Sequence, residues 1–491
     1  MTDRSEEPSS DRSETPAPGR WRRRPGDRTF RPKRRPIAKT WILRPLVPKL
    51  KPAGSPPLML VSGFAAMIAI GTILLVLPAA SRSGQWTPFV NALFTATSAV
   101  CVTGLVVVDT FKHWSFFGQL VILVLIQLGG FGFMTSATIF FLALGRRIGL
   151  RERLLIRESI GVAQLGGLLK LIIGIGIFTL TAEAIGAIIF FFRFSGQFPP
   201  GEAVWNAIFQ SVSAFNNAGF DLFGGFRSIS GYQSSPLVVL TTAALLILGG
   251  ISFLALRDIT TNRGKFKKLS VDTKLIVSVS AFLLVLGMAV VAVTEFTNPG
   301  TIGTMSLPEK VMNIFFLSAS SRTAGFSTFT TANMTDYALF FTLLLMFIGG
   351  ASGSTAGGIK VNTLGIIIAT IWSSLRGKTF PDIFGKELIN QQIFRALAVI
   401  MLSLTLITIV TFLLVATEGL PFLKVLFETV SAFGTVGLST GITPDLSVAG
   451  RILITVTMFI GRLGPLTLVL ALIARQKPTL YRYPKESVRI G

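Results

Sequence analysis

The sequence predicts an all-α polytopic membrane protein in which eight transmembrane helices and four re-entrant pore helices form four repeats around one pseudo-fourfold pore. Three observations lead there. Hydrophobic residues make up 50% of the 491-residue chain and charged residues 14%, with a mean hydropathy of +0.65, outside the range of ordinary soluble domains. Apolar runs reach the roughly 20 residues that a helix needs to cross about 30 Å of hydrocarbon. A short phrase ending in glycine recurs four times, in step with those runs.

The apolar runs lie at 58–80, 116–144, 167–193, 236–256, 273–296, 337–372, 394–416 and 450–474. The sixth is interrupted by GGASGSTAGGIK, residues 349–360. The net charge of +23 is spread in a pattern: fifteen of the 46 Lys and Arg residues precede residue 52, and further clusters stand at 146–157, 257–268, 376–386 and 475–489. Every second connection is therefore basic. The positive-inside rule places those connections and both termini in the cytoplasm, which accounts for the charge without nucleic acid. Residues 1–50 are too polar and Pro-rich to bury a core and lack the apolar stretch of a signal peptide, so they read as a disordered basic cytoplasmic tail beside anionic lipid. A lone cysteine, Cys101, excludes an intramolecular disulfide, and a lone histidine, His113, leaves little for histidine-based metal catalysis.

The recurring phrases are FTATSAVCVTGL, FQSVSAFNNAGF, LSASSRTAGF and FETVSAFGTVGL, with glycines 104, 219, 325 and 437. Counted from its first serine, the third carries one extra residue before the glycine. Each follows one apolar run and precedes the next. The semi-apolar stretch in each is about a dozen residues, enough to dip into a bilayer as a half-helix and too short to cross it. Such a segment exposes backbone carbonyls that lipid cannot satisfy, so it must be buried in protein or line a watery cavity. Four at one depth suggest a ring whose carbonyls replace the hydration shell of a dehydrated cation. On this reading Val102-Thr103-Gly104, Asn217-Ala218-Gly219, Thr323-Ala324-Gly325 and Thr435-Val436-Gly437 supply the filter backbone. One such motif would be an ordinary tight turn; four in register with the topology argue for the ring.

The four phrases, the eight-span fourfold plan and the Gly-rich interruption resemble the Trk/Ktr/HKT superfamily of potassium transporters, most closely its KtrB-type membrane subunits. The resemblance covers roughly 58–475. It implies four M1-P-M2 repeats at 51–146, 147–260, 261–375 and 376–475 with a cytoplasmic tail at 476–491, a homodimer in the bacterial plasma membrane, and control by a cytoplasmic nucleotide-binding RCK ring of the KtrA kind. It implies K+ as the permeating ion, Na+ as an activator, and no cofactor in this chain. Glycine at all four filter positions is the family's potassium pattern, and serine at the first admits more sodium.

Aligned after the filters, the second spans carry LGGFGF at 128, LGGISF at 248, IGGASG at 348 and IGRLGP at 460. Only the third copy expands its Gly pair into a long loop. It resembles the family's intramembrane gate, with Gly349, Gly350, Ser352, Gly353, Ser354, Thr355, Gly357 and Gly358 as gate residues; close helix packing through small residues is the competing reading. A phosphate-cradling loop does not fit, because Ile359 stands between the last Gly and Lys360. Arg462 replaces the second Gly of the pair deep in an apolar span, where a charge needs partners inside the protein. The loop's carbonyls and the hydroxyls of Ser352, Ser354 and Thr355 would let it latch the gate; a static pair between two repeats is the alternative. Asp109 and Asp221 stand just after their filter glycines, at the outer mouth or as plain loop acids. Arg322 is expected to turn behind the filter and pair with Glu295 or Glu309, while Glu183, Glu295 and Glu418 read as brackets for the scaffold. A sodium- or proton-coupled carrier for another solute would want paired inverted halves, and an enzyme would want convergent titratable groups. Neither pattern is present.

Overall fold

The computed structural model describes residues 56–132, 135, 136, 138, 168–378, 380–472 and 486. The expectations for the basic tail at 1–50, the cluster at 146–157 and the C-terminal tail lie outside these residues, apart from Glu486.

Four helices are long and apolar enough to span a bilayer unbroken: α1 (Pro56–Val76), α5 (Leu168–Phe194), α9 (Val271–Glu295) and α13 (Asn390–Glu418). Each opens one repeat. Their exposed faces carry Ile70, Ile73, Ile177, Leu180, Phe282, Val285 and Phe412, an apolar surface suited to lipid. Each is followed by a shorter helix: α2 (Phe89–Val100), α6 (Pro200–Phe215), α10 (Leu307–Ser320) and α14 (Phe422–Gly434). At 12 to 16 residues these end inside the protein, as half-helices must. Phe94, Phe209, Phe316 and Phe427 occupy one position on all four and are completely buried.

Those phenylalanines set the register. The serine four residues on is Ser98, Ser213, Ser320 or Ser431, so in the third repeat the structural counterpart is Ser320 rather than the first serine, Ser318. Counted this way the third phrase is one residue shorter than the others, which corrects the extra residue read from the sequence. Ser318 is taken up elsewhere, donating to Leu284 O at 2.8 Å on α9.

The second spans depart from expectation. All four are broken near their Gly pairs, not the third alone. In repeat 1, α3 is the single turn Thr110–His113, and α4 (Phe116–Phe131) stops at Gly132, whose φ is +75. In repeat 2, α7 (Pro236–Gly250) and α8 (Phe253–Thr261) meet at 93°. In repeat 3, α11 (Asp336–Phe347) and α12 (Val361–Leu375) flank the loop. In repeat 4, α15 (Val448–Leu463) yields to α16 (Pro465–Leu472) across Gly464-Pro465. A further small element unforeseen in the sequence is a hairpin pairing Asp382–Ile383 with Lys386–Glu387.

The first glycine of each pair explains itself by close approach. A Cβ on Gly129 would sit 2.0 Å from Val100 O, on Gly249 1.8 Å from Phe215 O, and on Gly461 2.0 Å from Phe433 O. The second span thus lies directly on the C-terminal end of its own half-helix in those repeats. At the other end, the glutamates closing α9 and α13 cap the next span: Glu295 accepts from Thr335 N at 3.0 Å and Oγ1 at 2.7 Å, and Glu418 accepts from Ser447 N at 2.8 Å and Oγ at 2.5 Å.

Gly249→Ala forces backbone to move, since a carbonyl cannot rotate away as a side chain can. It is expected to cost about 1–3 kcal/mol, seen as a lower Tm of the detergent-purified protein, whereas Gly231→Ala, where the added Cβ meets nothing, leaves Tm unchanged.

Candidate functional site: a four-glycine ring and the loop across it

The four triplets meet. A Cβ built on Gly104 would lie 2.5 Å from Ala218 O, on Gly219 3.0 Å from Ala324 O, on Gly325 2.4 Å from Val436 O, and on Gly437 2.1 Å from Thr103 O. The place of each missing side chain is filled by the carbonyl oxygen just before the next repeat's glycine, in cyclic order. Each of those Cβ positions is also within 3.2 Å of the next glycine's Cα. The ring is closed, and a side chain at any corner would press on the next repeat's backbone, least severely at Gly219.

The backbone conformation repeats as well. The first residue of each triplet has a left-handed φ, +57 at Val102, +58 at Asn217, +72 at Thr323 and +50 at Thr435, and so has each glycine, at +89, +71, +77 and +95. For non-glycine residues, two of them β-branched threonines and one a valine, this conformation is costly and persists only where surroundings impose it. The half-helix serines help impose it. Thr103, Ala218 and Val436 donate their N–H to Ser98, Ser213 and Ser431 carbonyls at 2.8 Å, and Ala324 to Ser320 O at 3.0 Å. Ser98 and Ser431 Oγ accept from Gly104 and Gly437 N at 3.1 Å, while Ser213 and Ser320 Oγ donate to Phe220 and Phe326 carbonyls.

One face of the ring opens into a cavity of about 220 Å3 that all four glycines line together with Asp109, Asp221 and Arg227. Here the two acids part company. Asp109 is nearly buried, and its carboxylate accepts from Phe111 and Lys112 N at the start of α3 and from Gly225 and Phe226 N of repeat 2. It brackets two repeats while lining the same cavity. Asp221 is half-buried and accepts from Phe223 N at 3.0 Å. Burial pushes its carboxyl up to about 6, opposed by the Phe223 N–H, while Asp109 raises it further and Arg227 lowers it.

The opposite face is covered by the 349–360 loop. Its ends are pinned together, Gly349 N donating to Ile359 O at 2.8 Å and Val361 N to Gly350 O at 3.1 Å. Gly357 passes directly beneath Thr435, where a Cβ would meet Oγ1 at 2.0 Å. The tip reaches the other repeats: Thr355 donates N–H (3.2 Å) and Oγ1 (2.9 Å) to Gly249 O, and Ala351 N donates to Gly250 O at 3.1 Å. Arg462 donates to Thr355 O from Nη1 and to Gly129 O from Nη2. One loop from repeat 3 is thereby tied to repeats 1, 2 and 4 across the axis. Arg462 finds carbonyls as expected, but not the hydroxyls. Ser354 Oγ donates to Ala351 O, and Ser352 is held through its N–H by Asn362 Oδ1.

Lys360, overlooked in the sequence, donates from Nζ to the carbonyls of Ala356 and Gly357 and stiffens the loop's return. A lysine closing a Gly-rich intramembrane stretch was the available signal. Arg322 does turn behind the ring, but it donates to Ser280 O and Oγ at 3.0 Å rather than to a carboxylate. Glu295 is occupied with Asn298, Thr301 and Thr335, and Glu309 with Ser306.

Comparison with known proteins agrees with this architecture. A family model described as TrkH, cation transport protein, matches residues 55–480. The chain is 42% identical over 438 residues to the Ktr system potassium uptake protein B of Bacillus subtilis, covering 89% of this chain and 97% of that protein. It is 39% identical over 443 residues to the potassium/sodium uptake protein NtpJ of Enterococcus hirae, with coverage of 89% and 97%. The crystal structure of the potassium transporter TrkH from Vibrio parahaemolyticus superposes with a TM-score of 0.67 at 18% identity, over 88% of this chain and 87% of that one.

A carboxyl raised in this way is neutral below about pH 6 and charged above it. Infrared difference titration of the purified protein is expected to show a carboxyl protonating near that pH, and Asp221→Asn is expected to remove the signal.

Proposed function

Since the chain belongs to the TrkH family of cation transport proteins, we propose that it takes up potassium across the bacterial plasma membrane through the ring of Gly104, Gly219, Gly325 and Gly437. Membership of this family makes it a membrane transporter and not an enzyme. The observation that carries the finer reading is the ring itself: four left-handed glycine triplets closed on one axis, with backbone carbonyls as the nearest groups. Carbonyl oxygens at close quarters substitute for the water shell of a dehydrated monovalent cation. The C-terminal ends of four half-helices, each equivalent to roughly half a negative charge, converge beneath and favour a cation over an anion.

The cavity holding Asp221 is then the outer mouth, and the basic connections are cytoplasmic. Potassium is the cargo favoured by glycine at all four corners, with sodium as an activating ion; the Enterococcus relative is named for both. The 349–360 loop and Arg462 form the gate on the inner side. The loop obstructs the axis, and a guanidinium beside it adds a positive barrier while holding the loop shut through two carbonyls. A homodimer and a cytoplasmic nucleotide-binding RCK ring complete the assembly on this reading. Opening requires a push on α12 or on the ends of the broken second spans, where a soluble partner has access.

The deciding assay is growth and potassium uptake of an uptake-deficient bacterium supplied with the chain and its partner ring. Wild type rescues growth; Gly437→Ser lowers the potassium-to-sodium preference; deletion of 351–357 and Arg462→Gln each raise flux when the partner is held in its closing state. Absence of potassium uptake by correctly inserted wild type with its partner would overturn the cargo. External acidification through pH 6 is expected to reduce uptake as Asp221 loses its charge, and Asp221→Asn to start at the reduced level and stay flat.

A further inference from the structure

The ring is nearly symmetric in backbone, but the residue just before each triplet differs: Cys101, Asn216, Arg322 and Gly434. In repeat 4 a Cβ at that position would meet Met346 O at 2.5 Å, so backbone packs there. In repeat 3 Arg322 reaches back to Ser280 on α9. In repeat 2 the arrangement is of another kind.

Asn216 is completely buried, and its Nδ2 has three oxygens at 2.9 Å: Gln127 Oε1 on α4 of repeat 1, Glu183 Oε1 on α5 of repeat 2, and Val212 O on its own half-helix. An amide nitrogen has only two hydrogens, and Val212 O already accepts from Asn216 N at 3.1 Å, so the side-chain oxygens of Gln127 and Glu183 are the partners those two hydrogens serve. The acceptors are fixed in turn. Ser211 Oγ donates to Glu183 O at 2.6 Å, and Gly186 leaves the room for that serine, since a Cβ there would stand 2.4 Å from its Oγ. Gly130, the second glycine of the first repeat's pair, makes the seat for Asn216: a Cβ on it would lie 1.9 Å from Asn216 Oδ1. Asn217, next in the chain, is the left-handed residue that begins the triplet.

We propose that Glu183, with Gln127, is a positioning residue for ion discrimination, clamping Asn216 so that the second strand of the ring cannot rotate about its left-handed start. This rests on the filter reading above. Discrimination between cations of one charge and different radius depends on carbonyls being held at a set spacing and number. A strand free to turn would withdraw the Ala218 oxygen, which fills the corner at Gly104, and change both. The clamp acts from behind the strand and spans two repeats, so it couples the first and second corners of the ring.

The test is potassium and sodium uptake into proteoliposomes holding the full chain with its partner ring, reported as the ratio of the two initial rates. Glu183→Leu removes an acceptor and is expected to lower the ratio about tenfold, the scale of one buried donor left unpaired. Glu183→Gln keeps an acceptor carbonyl and is expected to retain the wild-type ratio. Thr457→Val, which deletes an equally buried hydroxyl bonded only to Leu453 O of its own helix, is expected to change nothing. Gly437→Ser separates the two readings. If it lowers the ratio while Glu183→Leu does not, the clamp is refuted and the filter stands; if neither lowers it, the filter reading falls and the clamp with it. Should Glu183→Leu fail to insert, Gln127→Leu removes the neutral acceptor instead, and an unchanged ratio in that variant refutes the proposal. Equal loss in Glu183→Gln and Glu183→Leu also refutes it, because an acceptor oxygen in that place would then not be what Glu183 supplies.

Discussion

Peptide groups that end in the middle of a membrane must be satisfied by protein, and this constraint organises the structure. Four half-helices stop at one depth with their last carbonyls unpaired along the helix. The strands that follow them cannot pair with lipid, nor can one strand satisfy itself. They solve the problem jointly: serines on the half-helices hold the triplets, and each glycine gives up its side-chain space to a carbonyl from the next repeat. In the ring every strand has a neighbour on both sides.

The same constraint explains why the second spans break. The second spans lie against the half-helix ends through Gly129, Gly249 and Gly461, and their helices end within two residues of those glycines. Breaking frees carbonyls at their C-terminal ends, and those carbonyls recruit the third repeat's loop: Gly249 and Gly250 bind Thr355 and Ala351, while Gly129 shares Arg462 with Thr355. The loop is therefore held by the helix ends themselves.

Symmetry of backbone and asymmetry of side chain serve different ends. Phe94, Phe209, Phe316 and Phe427 are one residue type in one buried position because each half-helix must be seated alike. The positions behind the triplets are under no such demand, and they hold a thiol, an amide, a guanidinium and a bare glycine. A single chain can tune the corners of its ring separately, as a ring of identical subunits cannot.

Composition, the positive stripes and the fourfold phrase were enough to establish membrane class, repeat plan and the residues of the ring, because hydrophobic length and glycine requirements are local properties written in the chain. Arg462 was also legible, since a lone charge in an apolar run has few explanations. What only the tertiary structure decided was everything that depends on a neighbouring repeat. The breaks in the first, second and fourth second spans look like continuous apolar runs, because hydropathy does not register a carbonyl packed where a glycine's side chain would stand. Asp109 as a bracket, Arg322 on Ser280, Ser320 as the true counterpart of Ser98, and the clamp on Asn216 join residues from 33 to 117 positions apart or depend on three-dimensional register. Their partners are chosen by the geometry of ring closure, and that geometry exists only once all four repeats have met.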